Sequence, residues 1–154
     1  MPAVNCSIEA TISTVGDRWT LLILRNIFRG IKRFENIQKD LGIARNLLSK
    51  RLQHLVENEV IERFLYQEKP NRYEYRLTSK GRALSPSLIA LMQWGDQWCS
   101  SDEPPIMLVH ENCGSPLTHS VQCGNCDRDV KPGEIKSLPK SNFSKSAKES
   151  LNVN

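Results

Sequence analysis

Residues Phe34 to Thr78 constrain this chain most: two short helical patterns meet at a glycine, and two strand-like segments with a polar tip follow. In the first pattern Phe34, Ile37 and Leu41 recur at three- and four-residue spacing, and Gly42 supplies the turn. The second runs from about Ala44 to Glu57, with Leu47, Leu48, Leu52, Leu55 and Val56 on one apolar stripe. Arg45, Asn46, Ser49, Lys50 and Gln53 share another face, which suits reading base edges and gripping phosphates. The pattern predicts a recognition helix at about 44–57 for the major groove, braced by the helix before it. Ile61–Tyr66 and Tyr73–Leu77 read as strands, and QEKPNR between them carries the Pro/Asn chemistry of a hairpin tip. Lys69 and Arg72 then stand on a wing at about 66–73, poised for the DNA backbone or minor groove.

The flanking segments read as helices. Ile8, Ile12 and Val15 keep helical spacing up to Gly16. Asp17 is a good N-cap for Arg18–Arg29, which is nearly apolar all round, and Gly30 is placed to end it. After the hairpin, Thr78 caps a long pattern in which Leu84, Leu88, Leu91, Trp94 and Trp98 repeat, and Pro86 predicts a kink or a break. A domain this small does not easily cover so many large apolar groups, so burial against the same helix of a second subunit is expected. A two-fold dimer also matches two DNA half-sites about one helical turn apart. Packing against the first helix is the alternative, and both can hold.

The expected fold is therefore mainly α with a small β-hairpin (α+β): a winged helix-turn-helix, a long C-terminal dimerisation helix and a small β ribbon-like appendage. The corresponding division is 1–100 for DNA binding and dimerisation, 106–136 for a Cys/His appendage and 137–154 for a polar, Ser/Lys-rich tail expected to be disordered. SDEPP at 101–105 reads as a linker.

Charge follows the same division. Residues 1–100 carry fifteen Lys/Arg against ten Asp/Glu, whereas residues 101–154 carry six against seven. The window from Arg18 to Arg51 holds nine basic residues against only Glu35 and Asp40, the footprint of a phosphate-binding surface. No run of 18 apolar residues exists to span a membrane, and MPAVNCSIEA has neither the basic nor the apolar region of a secretory signal. Five cysteines then suggest a reducing cytoplasm, where thiols act as ligands or reactive groups.

The appendage contains HENCGSPLTHSVQCGNC at 110–126. His110 and Cys113 form one chelating pair and Cys123 and Cys126 another, the arrangement a tetrahedral zinc site requires. His119 is a spare candidate. So short a segment cannot bury a core, so one structural zinc per chain would supply its folding energy. A metal-free hairpin and a Cys123–Cys126 disulfide under oxidation are the alternatives.

These residues resemble the HxlR family of bacterial winged helix-turn-helix transcriptional regulators. The likeness is carried by Cys6, GDRWTLLILRNIFRG (16–30), RFENIQKDLGIARNLLSKRLQHL (33–55), PNRYEYRLTSKGR (70–82) and QWGDQW (93–98). It implies a cytoplasmic homodimer that binds double-stranded operator DNA, with Arg45, Asn46, Ser49, Lys50 and Gln53 reading it and the wing at Lys69–Arg72. In part of the family the cysteine matching Cys6 senses oxidants or electrophiles. Here it lies at an expected helix start, where the helix dipole favours a thiolate, although Ser7 stands where Pro is frequent. One subgroup of the family has a similar Cys/His tail. A protein-interaction module is the competing reading, since winged helices also dock onto proteins. The basic window and polar helix face favour DNA. Catalysis is not expected, because Glu111 is the only carboxylate inside the Cys/His cluster.

Overall fold

In the computed structural model side-chain caps open two of the helices, through Asp17 and Thr78, and Gly42 ends another. The structure describes residues 6–99 and 102–138, so all but the first two residues of the tail expected to be disordered at 137–154, and part of the 101–105 linker, lie outside the described residues. Helix α1 spans Ser7–Val15, with Cys6 at its N-cap and Gly16 at its C-cap. Asp17 then opens α2 (Arg18–Phe28), its carboxylate accepting from the backbone N–H groups of Trp19 and Thr20 at 3.0 and 3.2 Å. Helix α3 (Phe34–Leu41) ends at Gly42, whose φ of 61° turns the chain into α4 (Arg45–Glu57). The left-handed conformation favours glycine there, and it makes the turn between the two helices tight.

The hairpin is longer and tighter than its sequence suggested. Strand β1 runs Ile61–Glu68 and β2 runs Asn71–Leu77, leaving only Lys69 and Pro70 between them, where a six-residue tip was expected. The polar residues Gln67, Glu68, Asn71 and Arg72 join the ladder because backbone pairing does not require apolar side chains. The antiparallel register pairs Ile61 with Leu77 and Leu65 with Tyr73, with a bulge between Leu65 and Gln67. A bridge between Arg33 and Glu74, with the Tyr75 N–H donating to the Lys32 carbonyl at 2.8 Å, ties the start of α3 to β2.

The long C-terminal pattern is broken, as Pro86 led one to expect, although the break falls just before the proline: the segment forms two helices. Thr78 caps a single turn, α5 (Ser79–Arg82), and the chain breaks at Ala83–Leu84 before α6 (Ser85–Trp98). Pro86 sits in the first turn of α6, where its missing N–H is not needed by the helix. Gly81 is buried, and a Cβ there would collide with the Val60 carbonyl oxygen, so α5 closes onto the hairpin through a glycine.

The core lies between α2, α3, α4 and the base of the hairpin. Ile23, Leu24, Ile37, Leu48, Leu52, Leu55, Val60 and Ile61 are buried, with Leu84, at the N-cap of α6, and Leu88 within it packed against them. At roughly 1.5–3 kcal/mol per large aliphatic side chain removed from water, this cluster dominates the stability of the unit. Leu47 and Val56, expected on the same stripe, lie at its edge, half-buried and exposed respectively.

The chain divides into two compact units, Met1–Ile106 and Met107–Asn154. In the second, two antiparallel bridges, Val109 with Pro116 and Gln122 with Asp129, close two small turns. A single 3-10 turn (Pro132–Glu134) follows. Among its described residues no side chain is fully buried.

Candidate nucleic-acid interface

Helix α4 owes its exposed face to the burial of the other. Leu48, Leu52 and Leu55 point into the core, so Arg45, Asn46, Ser49, Lys50 and Gln53 all remain exposed. The structure brings these five expected contact residues onto one accessible surface, with Gln53 steadied by a 2.8 Å hydrogen bond to Glu57. Two cross-braces fix the helix. The Arg51 guanidinium lies 3.1 Å from the Asp17 carboxylate, joining α4 to the cap of α2. His54 Nε2 meets the Thr14 carbonyl at 3.0 Å, joining α4 to α1. Because the carbonyl can only accept, the imidazole donates from Nε2.

Lys69 and Arg72 are exposed at and beside the hairpin tip. Sequence reading missed Arg33 and Arg63, which line a cleft together with the expected Arg45 and Arg72. A cleft of about 620 Å³ opens between the starts of α3 and α4 and one face of the hairpin, lined among others by Arg33, Arg45, Arg63 and Arg72. Three of them are ordered by aromatic rings: Arg33 over Tyr66 at 4.3 Å, Arg45 over Phe34 at 4.9 Å and Arg63 over Tyr73 at 3.7 Å. Strand alternation was the available signal, since the register that opposes Arg63 to Tyr75 puts Tyr73 diagonally beside it on the same face. Burial pushes the Tyr75 hydroxyl above its ordinary range; Arg63 opposes that shift and Glu35 adds to it.

The structure places Cys6 exposed at the N-cap of α1, at the opposite end of that helix from the Thr14–His54 contact. In the second unit the four expected ligands form two like turns. His110 N–H donates to the Ser115 carbonyl and Gly114 N–H to the His110 carbonyl; thirteen residues on, Cys123 pairs with Arg128 and Asp127 with Cys123 in the same way. Gly114 and Asp127, which correspond, both have positive φ. His110 Nδ1 lies 3.3 Å from Cys113 Sγ. Hydrogen bonds from Ser115 lower the Cys113 thiol pKa, and backbone N–H groups of Asn125 and Cys126 lower that of Cys123. Each pair is thus formed, but among the described residues no three His, Cys, Asp or Glu side chains converge on one metal position.

No helix among the described residues is long and apolar enough to cross a membrane. The sequence profile of HxlR-like helix-turn-helix proteins matches residues 14–103. Among curated proteins, the HTH-type transcriptional regulator Rv3095 of Mycobacterium tuberculosis, itself uncharacterised, is 41% identical over 138 residues, covering 89% of this chain and 87% of its own. The HTH-type transcriptional regulator YodB of Bacillus subtilis is 37% identical over 92 residues, 59% of this chain and 82% of its own. Among solved structures, the candidate transcription factor PA1607 superposes with a TM-score of 0.80 at 35% identity, covering 90% of this chain and 97% of its own. The oxidised form of the redox regulator HypR gives 0.57 at 27% identity, over 63% and 99%.

Proposed function

The chain belongs to the HxlR-like helix-turn-helix family and is a DNA-binding transcriptional regulator, and from that premise we propose that it reads operator DNA as a homodimer, through α4 in the major groove and the hairpin on the backbone. The observation that carries this reading is the exposed face of Arg45, Asn46, Ser49, Lys50 and Gln53 on a helix whose other face is core. Polar side chains on a rigid helix can discriminate base edges, while Lys69 and Arg72 add sequence-independent phosphate contacts. A role in the cytoplasm without catalysis follows from the same reading.

Dimerisation is supported by apolar surface that one chain leaves uncovered. Ile8 and Ile12 of α1 and Leu91, Trp94 and Trp98 of α6 are each more than half exposed. Of these, Ile12 and Leu91 line an apolar groove of about 270 Å³ together with Val15, Leu84 and Leu88. A second copy would cover these surfaces symmetrically and set two α4 helices one helical turn apart. Sedimentation should give a dimer that binds one duplex, and Trp94→Glu should give monomers with much weaker operator binding. A monomeric wild-type chain that binds operator at full affinity would contradict this.

We also propose thiol control through Cys6. Modification at the N-cap of α1 would perturb the helix whose Thr14 carbonyl holds His54 of α4. HypR, similar in structure, is a redox regulator. Cys6→Ser should bind operator normally and lose the response to diamide.

A structural zinc held by His110, Cys113, Cys123 and Cys126 is proposed on two observations: the duplicated hydrogen-bonded turns, and the lack, among the described residues of this unit, of any fully buried side chain to hold them. Binding requires the two turns to approach, since the pairs do not converge in the structure. Elemental analysis of protein purified without added metal should find about one zinc per chain. A metal-free, folded appendage would refute it.

A further inference from the structure

The cleft between α3, α4 and the hairpin gathers positive charge that the molecule itself does not neutralise. The ion pairs formed among the described residues are Arg25–Asp40, Arg51–Asp17 and Arg76–Glu74, and none involves Arg33, Arg45, Arg63 or Arg72. One carboxylate, Glu35, lines the cleft with these four guanidinium groups. Four like charges with a single counter-charge repel one another, so an entering anion is favoured.

The cleft is also preorganised. Stacking of Arg33, Arg45 and Arg63 on Tyr66, Phe34 and Tyr73 restrains side chains that would otherwise be mobile, while their N–H edges stay available. The Arg33–Glu74 bridge and the Tyr75-to-Lys32 hydrogen bond hold the two walls in register. Fixed forks of N–H donors match the oxygens of phosphate, and restraint lowers the entropic cost of binding. At about 620 Å³ the open cleft has room for a phosphate group or a small phosphate-type anion.

We propose that this cleft is an oxyanion seat for phosphate groups, with Arg33 and Arg63 as ligands that pin the hairpin to the recognition helix. The phosphate comes from the DNA backbone or from a free phosphate-type anion that competes for the same place. The first source rests on the DNA-binding reading above; the second does not.

The test uses the full chain and three variants, Arg33→Gln, Arg63→Gln and Arg72→Gln, each checked for an unchanged thermal midpoint. Pyrophosphate is titrated at constant ionic strength by calorimetry, and a scrambled duplex is titrated at several salt concentrations. A free-anion seat predicts saturable pyrophosphate binding, weakened about tenfold or more in Arg33→Gln and Arg63→Gln. A backbone seat predicts weaker binding to the duplex, with the salt slope lowered by about one for each arginine that meets a phosphate. Pyrophosphate binding through Arg63 by a protein with no duplex affinity would uphold the seat and reject the DNA reading. Variants indistinguishable from wild type in both titrations would overturn the proposal, whatever affinity the wild type shows for DNA. Should Arg33→Gln or Arg63→Gln unfold, Arg72→Gln, which removes a guanidinium with no ring contact, decides in their place.

Discussion

The two units of this chain keep their shape by opposite means. Residues 7–98 bury a continuous aliphatic cluster, and their surface helices are positioned by it. The described part of 107–138 buries nothing fully, and two small turns are held by backbone hydrogen bonds and short bridges. The contrast teaches where a site draws its rigidity. In the first unit the side chains proposed to face DNA are aimed by apolar packing behind them. In the second, under the zinc proposal above, the ligand side chains themselves would supply the cross-link.

That comparison can be broken in order of effect. Leu52→Ala, at the centre of the cluster, should cost the first unit about 2–5 kcal/mol, read by urea denaturation with tryptophan fluorescence. Amide protection in the turns around Cys113 and Cys126 should persist; its joint collapse would show that the units are one. The reverse variant, Cys123→Ser with Cys126→Ser, should abolish that protection and leave the winged unit within about 0.5 kcal/mol of wild type. Asp17→Ala removes both the cap of α2 and the brace to Arg51, so the first unit should lose about 1–2 kcal/mol. The smallest effect is a pH dependence at Tyr75. Its pKa is raised above the ordinary 10.0, mainly by burial, so the folded protein holds that proton more tightly than the unfolded chain. The resulting stability is fully present below pH 10.0, is lost as pH rises through the folded value, and should be absent from that window in Tyr75→Phe.

Much of the winged unit was legible because apolar spacing and caps act locally. Asp17 before an apolar run, Gly42 between two helical patterns and the stripe from Leu48 to Leu55 each point to one conformation. The exposed face of α4 followed directly, since burying that stripe leaves Arg45, Asn46, Ser49, Lys50 and Gln53 outside. What was missed depends on contacts between distant segments. The arginine cleft needs Arg33, Arg63 and Arg72 brought together by strand register and by the Arg33–Glu74 bridge, which no local pattern encodes. The hairpin tip was drawn too wide because polar Gln67 and Arg72 look like loop, yet their backbones pair. The repeat of the two turns is likewise hidden, since HENCGS and CGNCDR share little beyond ligand spacing.

The central claim, that α4 reads DNA, is tested most directly by fluorescence anisotropy with a duplex from the region upstream of the protein's own gene. An equal-length scrambled duplex, several salt concentrations and the variants Arg45→Ala and Lys50→Ala complete the measurement. The account predicts tight, sequence-selective binding that falls steeply with salt and is weakened in both variants, with the oligomeric state unchanged. Equal, weak binding to both duplexes, or variants that titrate like wild type, would contradict it.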